Sequence, residues 1–105
     1  MITVENAHEI DSFDPANVES MIDYYFASRI RGDQKWKEVL QDPTEWSNRM
    51  KYSIDEHDKW NFLEYKNDGF KDGSDRWVSI WVKIEYNGRT DSGTNEVEVK
   101  KLNDS

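Results

Sequence analysis

The spacing of hydrophobic positions changes midway along the chain. In the first half, Val18, Met21, Ile22, Tyr25 and Phe26 recur every three or four residues, which places them on one stripe of a helix. Asp14-Pro15 supplies a start signal, because the carboxylate can cap free N–H groups and proline suits the first helical position. Gly32 supplies the stop, being tolerant of the left-handed conformation that ends helices. The pattern therefore predicts a helix over 15–31. Asp33 can cap a second, short helix holding Trp36, Val39 and Leu40. Asp42-Pro43 repeats the start signal, with Trp46 and Met50 marking a third helical turn or two. Ahead of all this, Ile2 and Val4 alternate, but nothing sustains the alternation. Residues 1–13 thus read as a loosely structured lead-in to a single domain over 14–105.

From residue 59 the period becomes two. Trp60, Phe62 and Glu64 alternate with Asn61, Leu63 and Tyr65, predicting a strand over 59–66 with Glu64 on the aromatic face. The stretch NDGFKDGSD then gives two Asp-Gly turn signals. A long strand over 76–86 follows. Val78, Ile80, Val82, Ile84 and Tyr86 fall on one face, and Trp77, Ser79, Trp81, Lys83 and Glu85 on the other. Asn87-Gly88 is the strongest two-residue hairpin signal. A tight turn there would pair the apolar strand with 89–93, which has little to pack. A longer loop over 87–93, pairing the strand with 94–102, would bury Val97 and Val99, and the pattern favours it. Helices followed by a run of strands define an α+β plan, with two or three N-terminal helices packed on a curved antiparallel sheet.

Composition narrows the function classes. A length of 105 residues suits one domain with one core. Charged residues, at 34%, nearly equal hydrophobic ones, but five Trp, five Tyr and four Phe are more aromatics than a disordered chain carries. The formal net charge of −8 opposes nucleic-acid binding, which depends on neutralising phosphates. The absence of cysteine excludes disulfides, thiolate metal sites and a cysteine nucleophile, and leaves the compartment open. No stretch resembles a signal peptide or a membrane span. The expectation is a soluble chain with no membrane association, cytoplasmic or the mature part of an exported protein.

The run DPANVESMIDYYFASRIRGDQKWKEVL resembles the opening of the NTF2-like (cystatin-like, cone-shaped) superfamily, whose small members begin with a Pro-led amphipathic helix, a Gly-Asp break and a short second helix. WVSIWVKIEYNG, followed by a polar loop and EVEVKKLND, is similar to the long antiparallel hairpin of that superfamily. The resemblance spans 14–104. It implies a curved sheet enclosing an apolar hollow closed by the first helix, often with a dimer formed through the outer sheet face. Members carry one more strand than is seen here, so the sheet either ends on an edge or continues past Ser105. The superfamily holds isomerases, dehydratases and non-catalytic modules, so activity must be argued from a site.

Three groups of residues are candidates. Trp77 and Trp81 share the second face of the long strand with Lys83 and Glu85. They are either ordinary packing or a face for a second copy, a protein partner or a sugar. Tyr25, Trp60, Phe62 and Glu64 would line the hollow and suit an apolar small molecule. Glu64 as base with Tyr25 as hydrogen-bond donor is the catalytic arrangement the resemblance suggests, but it is a thin constellation. Asp23 and Asp33 read as solvent-facing or capping. Asp55, Glu56, His57 and Asp58 carry metal-ligating types, but four adjacent residues cannot converge on one ion, so no metal or other cofactor is expected. The spacing of NDGFKDGSD fails a calcium loop. The sequence thus reads as a non-catalytic interaction or small-ligand-binding module; the alternative is an isomerase, dehydratase or hydrolase using a pocket carboxylate and tyrosine.

Overall fold

A computed structural model of the chain describes residues 1–41, 46–47 and 59–101. The first helix, α1 (Val18–Arg31), begins three residues later than Asp14-Pro15 suggests. The cap is Asn17, whose Oδ1 accepts from the backbone N–H of Glu19 at 3.0 Å and of Ser20 at 3.2 Å. Asp14 instead organises the turn before it, accepting from Ala16 N at 3.0 Å. Both residue types hold free N–H groups, and the one nearest the first helical turn wins. Gly32 closes the helix in the left-handed region at φ 83°, donating to the Ser28 carbonyl at 2.9 Å.

Asp33 then leads into α2 (Trp36–Gln41), accepting from Lys35 N at 3.0 Å, while Trp36 N donates to Ser28 Oγ at 2.9 Å. Burial alone would raise the Asp33 pKa. Hydrogen bonds from Arg31, Ser28 and the Lys35 backbone outweigh that and hold the carboxyl below its usual range. Arg31 ties the lead-in segment to this corner. Its Nη1 donates to the carbonyls of Ala7 at 2.9 Å and Ile10 at 2.6 Å, and its Nε to Asp33 at 2.7 Å. Residues 1–13 are therefore fastened at two points. Ile2–Thr3 forms strand β1, antiparallel to β3, and Ala7–Glu9 forms a turn of 3-10 helix with Ala7 wholly buried.

The second half is a four-stranded antiparallel sheet in the order β1-β3-β4-β5, with β3 Asn61–Phe70, β4 Trp77–Tyr86 and β5 Arg89–Glu98. A second, two-stranded ladder pairs β2 (Trp46–Ser47) with β6 (Lys100–Lys101). Trp46 is thus in extended chain, not in the helical turn its spacing with Met50 suggests. Met50, and the acidic cluster at 55–58, lie outside the described residues. The two Asp-Gly signals do different things. Asp68-Gly69 is a bulge within β3, with Gly69 at φ 83°, and only the second, at Gly73, makes the β3–β4 turn.

At Asn87-Gly88 the tight turn prevails over the longer loop. Both residues have positive φ, 52° and 75°, and Tyr86 pairs with Arg89. From there the register runs without interruption to Trp77 opposite Glu98, which sets Val97 against Val78. A ten-residue partner strand reaches the valines without a loop, so the objection to the short turn disappears. The cost is a polar distal half, and residues 85–92 are exposed.

The α+β expectation is met: α1 and α2 pack on the inner face of the sheet, which is open and curled. The core joins Met21, Ile22, Tyr25 and Phe26 of α1 to Phe62 and Tyr65 of β3, Val78, Ile80 and Val82 of β4, and Val97 of β5. Because a Cβ at Gly88 would meet no neighbour, Gly88→Ala tests backbone conformation alone. It should lower unfolding free energy by about 1 kcal/mol, the left-handed penalty for an L-residue, read as a denaturation midpoint shifted with unchanged slope.

Candidate functional site

The sheet has two faces with different chemistry, and a local irregularity in β3 assigns residues between them. Phe62 pairs with Ile84 and Glu64 with Lys83, so Leu63 is an inserted residue. A bulge reverses which side chains point inward beyond it. Phe62 and Tyr65 therefore share the inner face, both at most 2% exposed, and Glu64 turns to the outer one. There its carboxylate lies 3.5 Å from Lys83 Nζ.

This rearranges the residues read as a hollow. Tyr25 and Phe62 are inside the core, Tyr25 edge-on to Phe26 at 4.9 Å and to Trp36 at 5.7 Å. Tyr25 and Glu64 do not meet at any common point, since one is beneath the sheet and the other above it. Of the four, Trp60 lines hollows among the described residues. It stands half-buried between a polar hollow of about 170 Å³ beside Arg29 and Asp33 and two less polar ones over the hairpin. Of the latter, one of about 230 Å³ reaches along Val82, Ile84 and Gly93, and one of about 300 Å³ reaches Tyr86 and Arg89.

The outer face carries the two indoles together. Trp77 is 38% exposed and Trp81 half-buried, on either side of Ser79. Register sets Trp81 beside Lys66 on β3 and Thr94 on β5, and Trp77 beside Glu98. Glu98 is only 7% exposed and meets Arg76 Nη2 at 2.9 Å; Lys71 meets Glu96 at 2.8 Å. The described helices all lie on the opposite face, so they do not cover these tryptophans.

A half-buried acid that the sequence pattern places in solvent or at a cap is Asp23. The Tyr65 hydroxyl donates to its Oδ1 at 2.6 Å, and Asn67 Nδ2 is 3.5 Å from the same oxygen. Burial raises the Asp23 pKa above its ordinary value, only partly offset by those two hydrogen bonds and the nearby N-terminus. Tyr65 is pushed up too, by burial and then by the neighbouring carboxylate. The bond crosses from α1 to β3 and joins helix and sheet. Asp23 directly follows Ile22 of the apolar stripe, a position that hinted at partial burial. Tyr65 was hidden by the bulge, because strict alternation assigns it to the other face.

Among the described residues, no group of three or more His, Asp or Glu side chains converges as a metal site, and no helix is long and apolar enough to cross a membrane. Comparison with known proteins adds nothing to the geometry: no family model matches the chain, no curated protein matches it, and no solved structure matches it.

A raised folded-state pKa means the fold favours protonated Asp23. The favourable contribution is complete below the unfolded carboxylate value, about 3.9, and is lost as pH rises through the higher folded value. Asp23→Asn keeps an acceptor for Tyr65 and removes that titration. The variant's stability relative to the parent should therefore rise between about pH 4 and pH 7. Denaturant titrations across that range measure the difference.

Proposed function

We propose that the chain is a non-catalytic interaction module whose working surface is the outer face of the sheet. The observation that carries this reading is the presence of two accessible indoles in an ion-paired surround. The chain as a whole carries −8. On this face, five carboxylates (Glu64, Asp68, Glu85, Glu96, Glu98) stand among four cations (Lys66, Lys71, Arg76, Lys83), and all four cations are paired. Paired aromatics with locally cancelled charge are what an association surface needs, since unbalanced like charge would oppose contact. A second copy is the partner this favours, because a face whose charge nearly cancels lets two acidic chains meet with little net charge stacked at the junction.

The resemblance to NTF2-like proteins points the same way, and an amphipathic helix stopped by Gly32, a short second helix and a long hairpin on a curled sheet support it. The enzymatic reading needs Glu64 and Tyr25 at one point, and nothing in their placement supports it.

The test is sedimentation equilibrium of the parent and of Trp77→Ser/Trp81→Ser. The parent should dimerise with rising concentration, and the double variant should stay monomeric with little change in unfolding midpoint. A parent chain that remains monomeric at several hundred micromolar rejects the second-copy reading.

A further inference from the structure

Gly93 sits in the middle of β5 without any backbone reason to be glycine. Its φ is not positive, its register opposite Val82 is regular, and no bulge interrupts β5 there. A Cβ built on it would meet no atom within 4 Å, so no neighbouring segment presses against it either. Glycine weakens a strand interior and is found there at bulges, bends or points of close approach. With bulge and protein contact both absent, the open space above Gly93 is the feature to explain.

That space is a trough on the inner side of the β4–β5 hairpin. The two hollows over the hairpin adjoin, sharing Trp60, Ile84 and Asp91. Each, at about 230 and 300 Å³, is at or below the lower limit of about 300 Å³ for drug-sized ligand pockets, which suits one ring apiece. At its base lie Gly93 and the largely covered side chains of Val82 and Ile84, and Trp60 forms a wall. Alternation along β5 places Arg89, Asp91 and Asn95 on this side, spaced over about 20 Å of strand. Arg89 is donor only, Asp91 acceptor only, and Asn95 both.

We propose that this trough binds two consecutive rings of a neutral oligosaccharide. A pyranose has an apolar C–H face that stacks on an indole, and hydroxyls at its edge that both donate and accept. The rim supplies that mixture. An anionic ligand would meet Asp91 and a chain of net charge −8. A purely apolar one would make no use of the exposed polar rim of Arg89, Asp91 and Asn95. The site lies on the face opposite Trp77 and Trp81, so it stands or falls apart from association through the outer face.

The experiment is titration of the ¹⁵N-labelled chain with cellotetraose, chitotetraose, mannotetraose and maltotetraose, following the Gly93 amide and the Trp60 indole N–H. The expected result is saturable shifts of both signals with at least one of the four. Gly93→Val fills the trough at a site with room for it and a favourable strand residue, so it should keep the thermal midpoint within a few degrees. It should weaken the binding at least tenfold, as should Asp91→Asn, whereas Trp77→Ser leaves it unchanged. No shift with any of the four at 10 mM overturns the proposal, as does binding that Gly93→Val does not weaken. Displacement of the bound sugar by a lysine-rich peptide at lower concentration also overturns it, in favour of a cationic ligand on Asp91.

Discussion

Phe26 is held between Phe62 and Tyr65, and much of the molecule follows from that grip. Its ring stacks on Tyr65 with centroids 4.6 Å apart and planes 11° from parallel, and meets Phe62 edge-on at 5.5 Å. Each side chain is at most 2% exposed. Burial of such side chains stabilises by roughly 1.5–3 kcal/mol apiece, and well-placed ring pairs add about 0.5–1.5 kcal/mol. Phe62 and Tyr65 are three residues apart on a strand, a separation that ordinarily sends side chains to opposite faces. Only an inserted residue brings both to α1. The aromatic contact and the bulge at Leu63 require one another.

The same bulge determines what the outer face can be. Turning Tyr65 inward turns Glu64 outward, where it joins Lys83 and leaves the core free of an unpaired carboxylate. The second bulge, at Asp68, restores Phe70 to the inner side opposite Val78. Between the two bulges Tyr65 reaches Asp23, so helix and sheet are joined by a partly buried hydrogen bond as well as by rings. Bending at such points is also how antiparallel sheets curve around a helix.

The hairpin extends the sheet well past the helix. Near α1 it is core, with Val78, Ile80 and Val97 buried; beyond it, β5 is polar and nearly bare. A polar edge strand discourages indiscriminate strand pairing. Among the described residues no helix packs over the inner surface at Tyr86, and Trp60 partly walls that surface off. The outer face offers an ion-paired surface with two indoles, and the inner face a narrow trough. The two sides of one hairpin therefore differ in chemistry.

Period alone determined the larger layout. A 3.6-residue stripe from Val18 to Phe26 with Gly32 beyond it can only be an amphipathic helix, and strict alternation over 77–86 can only be a strand with one buried face. The indoles at Trp77 and Trp81 were legible as a pair on the other face for the same reason. What the tertiary structure decided is where periodicity is broken or where two local signals compete. Alternation is a count of residues, and one inserted residue at Leu63 reverses the assignments after it until the second bulge at Asp68. Hence Glu64 read as inward and Tyr65 as outward, when packing against Phe26 required the reverse. The Asn87-Gly88 turn was likewise settled only by the length of β5, because what makes a short turn acceptable is the pairing of Val97 with Val78 nine residues further on.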